Sequence, residues 1–216
     1  MTTQSDLLDR LRRQQAPASH LARVRDLVDL AARDPRLQAI ALVGSYAKGV
    51  GDRLSDLDLA AFVSPGAAGD VLQAAQALLG HAEVLNRFGG RYGSTGCFSK
   101  WVYLDFSSVE FHVFEPGSPF RLRRPWLPLW DPQQLLRHRE VEGEPIRHED
   151  FAAYEYGDDG LIWELVDCIK WLSRGRNALA RQHLIKLAAA MSRPDQPAAP
   201  VPAPIPDDPT PTKPQV

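Results

Sequence analysis

Residues 43–59 read VGSYAKGVGDRLSDLDL: a Gly-Ser pair, a ten-residue excursion from Tyr46 to Ser55, then Asp56 and Asp58 on either side of Leu57. The flanks are apolar. Residues 37–43 and 57–63 are short apolar runs bounded by turn residues, which predicts two buried strands bracketing the loop. Alternate strand residues share a face, so Asp56 and Asp58 project together, with Cα atoms roughly 7 Å apart. Such a pair suits a hard cation. Magnesium takes oxygen ligands and is usually held by one or two carboxylates plus the phosphates of its substrate. Two ions roughly 3.5–4 Å apart can activate an attacking oxygen and stabilise a leaving one. Gly44 lets the backbone approach a phosphate closely, and the Ser45 hydroxyl with the amides that follow can donate to phosphate oxygens.

Outward from this stretch, residues 19–33 show helical apolar spacing, with Ser19 as candidate cap and the Asp34-Pro35 step as terminator. Residues 69–79 predict a second helix. A strand near residues 83–88 follows, then a glycine-rich loop, GGRYGSTG, then alternating strands at 98–104 and 109–114 joined by an FSS hairpin. Residues 116–150 are rich in proline, arginine and tryptophan and read as a connection with one helical turn, Trp126 and Trp130 packing on the core. Residues 151–193 predict two helices. Leu161, Leu165, Ile169 and Leu172 form the apolar stripe of the first, Ala180, Leu184, Leu187 and Met191 that of the second, and Gly175 ends the first. Nine of the 18 prolines fall in residues 194–216, which hold no aromatic residue, and such a tail is expected to stay disordered.

Hydrophobic residues make up 44% and charged residues 24%, the balance of a globular protein. No apolar run spans a bilayer, and the charged N-terminus MTTQSDLLDRLRRQQ lacks the core of a secretory signal, so a cytoplasmic protein is expected. Cys97 and Cys168 stand alone, which predicts buried thiols rather than a zinc site or disulfide. A formal net charge of -2 gives no general attraction to nucleic acid.

The motif Val43-Gly44-Ser45, ten residues, Asp56-Leu57-Asp58-Leu59 resembles that of the nucleotidyltransferases of the DNA polymerase beta superfamily. Lys48-Gly49 and Ser55 are similar to the branch that holds the antibiotic and minimal nucleotidyltransferases. The resemblance covers residues 36–113. It implies an α+β fold, a small mixed sheet with helices, followed by a C-terminal helical unit, with residues 1–115 as catalytic domain. It also implies a third carboxylate on a later strand, serving as metal ligand or base. Glu110, in Val109-Glu110-Phe111, matches that slot, although Asp is more usual there; Asp105 is the rival, read more plainly as a turn acid. The expected reaction moves a nucleoside monophosphate from a nucleoside triphosphate such as ATP to an acceptor hydroxyl, releasing pyrophosphate, with Mg2+ on Asp56, Asp58 and Glu110, and Gly44, Ser45 and Lys48 on the phosphates.

The weaker candidates each have a plainer reading. Lys48 and Arg53 could neutralise triphosphate charge or be merely solvated. His112 shares a face with Glu110, but a hydrogen-bonded structural histidine reads equally well. Glu155, a candidate base, opens a helix where acids complement the dipole without further role. The order Arg176-Asn177 then His183 resembles a toxin-nuclease motif, a coincidence expected of short patterns. RLRRPWLPLW mixes charge and aromatics as single-strand binders do, yet its prolines favour a packed connection. A helical unit of about forty residues walls a pocket more readily than it forms a stable partner interface of roughly 800 Å² per side, which favours a small acceptor such as an aminoglycoside or lincosamide. Glu155, Asp158, Asp159 and Glu164 would then attract a cation. The alternatives are a protein AMP-transferase of the antitoxin type and a noncatalytic nucleotide-binding module.

Overall fold

A computed structural model describes residues 4–81, 83–144 and 152–192. The proline-rich tail expected at 194–216 and the end of the connection at 145–151 lie outside them. Among the described residues the chain forms a six-stranded sheet in the order β3-β4-β5-β2-β1-β6. Its strands are β1 (Leu37–Leu42), β2 (Leu57–Val63), β3 (Val84–Arg91), β4 (Gly96–Tyr103), β5 (Ser108–Phe114) and β6 (Leu127–Trp130). The helices are α1 (Gln4–Arg13), α2 (Ala18–Arg33), the short α3 (Gly44–Lys48), α4 (Ala68–Leu79), the single turn α5 (Leu135–His138), α6 (Gly157–Ser173) and α7 (Asn177–Met191). The sheet is mixed: β2 and β5 run parallel, and every other neighbouring pair is antiparallel.

The strand period divides the sheet into two unlike faces. On one, Leu57, Leu59, Ala61, Val109, Phe111, Val113 and Trp101 pack with Leu7 and Leu11 of α1, Val24 and Leu27 of α2, and Val71 and Leu72 of α4. Burying each large apolar side chain there contributes about 2 kcal/mol. The opposite face carries Asp58, Glu110, His112 and Lys100, because each is one residue out of phase with the apolar set. Two smaller clusters cover parts of that face. Ala60, Phe62 and Phe114 pack with Leu136, and Phe98 and Val102 pack with Trp163 and Val166 of α6. The polar residues lie between them.

Several sequence expectations need correction. Pro17, not Ser19, stands at the cap of α2, and the Ser19 hydroxyl donates instead to Asp105 at 3.3 Å. β3 continues through Gly89 and Gly90 to Arg91, since antiparallel pairing with β4 holds the glycines extended. Residues 116–150 supply more than a helical turn: Leu127–Trp130 pairs antiparallel with β1 as the sheet's edge strand. Pro128 hid it from a pattern reading, yet an edge strand tolerates proline because one side of its ladder is unpaired. The largest error concerns α6. Leu165, Ile169 and Leu172 are 41%, 50% and 50% exposed, and the helix instead buries Trp163, Val166, Lys170 and Trp171. On α7, Ala180 and Leu187 are buried as expected, whereas Leu184 and Met191 are exposed. Gly175 does end α6, at φ +72.

Candidate active site

The parallel pairing of β2 with β5 builds the centre. Asp58 and Glu110 are register partners, and the residue before β2, Asp56, meets the first residue of β5: the Ser108 hydroxyl donates to its Oδ1. Three acids from two neighbouring strands are thereby gathered on one face. Gly44 closes the site from the other side, at the start of α3, with φ +67. A Cβ built on Gly44 would lie 1.8 Å from Asp58 Oδ2, so glycine is required both by the backbone and by the carboxylate beside it.

Each flanking acid has its own lysine, and among the described residues the central one has no such ion pair. Lys170 of α6 donates to Asp56 Oδ1, to Ser108 Oγ at 3.0 Å and to Asp167 at 3.3 Å. Lys100, opposite Glu110 in the β4/β5 register, reaches Glu110 Oε1 at 3.1 Å, and His112 Nε2 lies 3.0 Å from Oε2. Burial alone would raise the Glu110 pKa, but Lys100 and His112 outweigh it and hold the carboxyl well below its usual range. Asp58 behaves oppositely. Burial first, then the charges of Glu110 and Asp56, push its carboxyl well above the ordinary aspartate range. For Lys100 and Lys170 burial opposes the charge, yet Glu110 and Asp56 respectively overcome it and raise both.

The motif loop is clasped from two directions. Arg10 of α1 donates to the Ala47 carbonyl at 2.7 Å, and Gln14 donates to the Tyr46 carbonyl while accepting from the Gly51 amide. From the other end, Arg174 after α6 makes two 2.7 Å bonds to Asp52, lowering that carboxyl to about 2. Tyr46 is buried, its hydroxyl donating to the Asp52 carbonyl at 2.6 Å.

Of the residues singled out in the sequence, Gly44, Asp56, Asp58 and Glu110 come together, with His112 beside Glu110. Ser45 follows Gly44 in the first turn of α3. Lys48 and Arg53 are exposed on the loop. Asp105 sits in the β4/β5 turn, accepting from the Ser107 amide and hydroxyl, as a turn acid should. Glu164 is occupied by the Tyr154 amide and His183, and Asp158 by the Tyr154 hydroxyl, so these two acids serve the helical unit rather than the carboxylate centre. His183 has a structural place there, edge-on to Trp171. Lys100, Ser108, Lys170 and Arg174 were missed by the sequence reading. Only Lys100 carried a signal, the strand parity that sets it opposite Glu110.

Among the described residues no three or more His, Cys, Asp or Glu side chains are arranged to hold a metal ion together. The donor set nevertheless fits a hard cation. A carboxyl raised first by burial and then by two neighbouring acids is a place where added positive charge is favourable, and magnesium needs only one or two carboxylates when substrate phosphates complete its shell.

The geometry is a mixed sheet that presents paired acids behind a Gly-Ser turn. Residues 25–92 match the family model described as Nucleotidyltransferase domain; the match spans Gly44, Ser45, Asp56 and Asp58 but stops short of Glu110. No curated protein matches the chain. A solved structure described as that of the GLD-2/RNP-8 complex is similar at 18% identity, over 51% of this chain and 42% of that one, with a TM-score of 0.30. This chain therefore spans less than half of that neighbour's length. No helix among the described residues is long and apolar enough to cross a membrane.

Proposed function

We propose that the chain transfers a nucleoside monophosphate from a nucleoside triphosphate, ATP among them, to a hydroxyl of a small acceptor, releasing pyrophosphate. The observation that carries this reading is the convergence of Asp56, Asp58 and Glu110 on one sheet face against Gly44, inside a domain of nucleotidyl-transferring type. Asp56 and Asp58 would hold Mg2+, which supplies charge neutralisation at the triphosphate. Gly44 and Ser45 would receive the phosphates, and exposed Lys48 stands close enough in sequence to add positive charge. Glu110, held as a carboxylate by Lys100 and His112, is suited to complete the metal site; as the base for the acceptor's proton it would be weak, because the same two partners lower its basicity. In-line attack on the α phosphorus then depends mainly on positioning and electrostatics.

The acceptor side rests on the size of the helical unit. α6 walls the polar face beside Lys100 and Glu110, as Trp163 and Val166 pack on Phe88 and Phe98, and α7 packs on α6 behind it. A two-helix wall suits a small molecule better than a protein surface. The cationic preference expected from Glu155, Asp158, Asp159 and Glu164 is weakened, since Glu164 and Asp158 are engaged within their own unit. The test is mass spectrometry of reactions holding nucleoside triphosphates, Mg2+ and either a panel of aminoglycosides and lincosamides or a host lysate. A nucleotide-sized gain on a small molecule is expected; a gain confined to protein would sink this reading in favour of protein modification.

A further inference from the structure

The feature of the site that its proposed chemistry does not use is Lys170. Its side chain is 4% exposed, it comes from α6 rather than the sheet, and its ammonium bonds to Asp56, to Ser108 at 3.0 Å and to Asp167 at 3.3 Å, lying 5.2 Å from the Trp163 ring centroid. Burying an ammonium is costly unless such partners surround it, so this one is built in rather than incidental. Its first partner is a carboxylate offered to the metal. The same oxygen, Asp56 Oδ1, also accepts from Ser108, so it is already engaged twice.

We propose, resting on the metal reading above, that Lys170 is an internal counter-ion competing with divalent cations for Asp56, so that the free protein binds metal weakly and binds it well only together with nucleotide. A divalent ion entering alone would sit within a few ångströms of a fixed positive charge that has no solvent to retreat into. The triphosphate reverses this, because its negative charge gives the ammonium and the metal a common partner. Asp58 fits the same scheme. Lys170 and Lys100 bond to its two neighbours, and the central carboxylate remains the point of attraction for a cation.

The experiment measures Mn2+ binding to the full chain without nucleotide, from loss of the free-ion electron paramagnetic resonance signal. Lys170→Met and Lys170→Gln should each bind Mn2+ roughly tenfold or more tightly than the wild type, while Lys170→Arg, which keeps the charge, should stay weak. Adding Asp56→Asn to Lys170→Met should abolish the gain. The Gln variant keeps a donor toward Asp56 and Ser108, which guards against loss of fold in the Met variant. Equal affinity in the wild type and both neutral variants, with Asp56-dependent binding in all, would overturn the competition and leave the metal reading standing. A lowered melting temperature with unchanged Mn2+ affinity would likewise show a purely structural lysine. Absence of Asp56-dependent binding in every variant, even with nucleotide added, would remove both the metal reading and the counter-ion.

Discussion

The β2/β5 pair and helix α6 meet over the same three acids, yet they are held in different ways. In the strand pair, each chemical residue is fixed by a period of two: Asp58 faces Glu110, and Leu57 faces Val109, because a one-residue slip would bury the acids and expose the leucines. In α6 nothing so strict operates. Its apolar residues Leu165, Ile169 and Leu172 lie outward, and a lysine lies inward. The strands position the acids, whereas the helix supplies the counter-charge to Asp56.

If that contrast is right, damage to the sheet side should be the more severe. The largest effect after loss of the paired aspartates is expected for Glu110→Gln, which should lower turnover roughly 10²–10⁴-fold, as loss of a positioned catalytic carboxylate does. Asp105→Asn should change turnover only a few-fold. A reversed ranking, read from pyrophosphate release, would move the third acidic role to the turn. Gly44→Ala comes next. The added Cβ meets Asp58 Oδ2 at 1.8 Å, and a left-handed backbone costs roughly 1–2 kcal/mol for any L side chain, so activity should fall well over tenfold. Wild-type activity in this variant would show that the carboxylate can move aside freely.

Smaller effects belong to the helices. His20 of α2 is buried, edge-on to Tyr46, and its pKa is lowered to about 4 by burial first and by Arg23. Because the folded pKa lies below the unfolded value near 6.5, the unfolded chain binds the extra proton between those limits. Stability is therefore full above about pH 6.5 and declines on acidification, by about 2 kcal/mol at pH 5. Urea melts of the wild type and His20→Gln at pH 7 and pH 5 should differ in slope with pH. Parallel behaviour would place the acid sensitivity elsewhere. Smallest of all, Arg174→Ala removes the link from α6 to Asp52 and should cost at most about 1 kcal/mol, since both partners are part-exposed. A large loss would mean that the helix, and not the strands, positions the loop.

How far the sequence could be read follows the same division. β1 and β2 lie where the apolar runs put them, and Asp56, Asp58 and Glu110 share a face as parity requires. Helix α1 was present as Leu7, Leu8 and Leu11 at helical spacing, but those residues sit in a segment read only for targeting. Strand β6 was masked by Pro128. The burial of Lys170 could not be read at all. A lysine is almost never buried without a partner; Asp167 is a local one, but Asp56 lies 114 residues earlier, a distance no local pattern spans.

The central claim is that Asp56 and Asp58 hold the metal on which nucleotidyl transfer depends. It is tested most directly by pyrophosphate release from a nucleoside triphosphate in the presence of Mg2+ and an accepted substrate, comparing the wild type with Asp56→Asn/Asp58→Asn. The double variant is expected to keep its circular dichroism spectrum and lose roughly a thousandfold or more of the rate; a folded double variant turning over at near the wild-type rate would contradict the account.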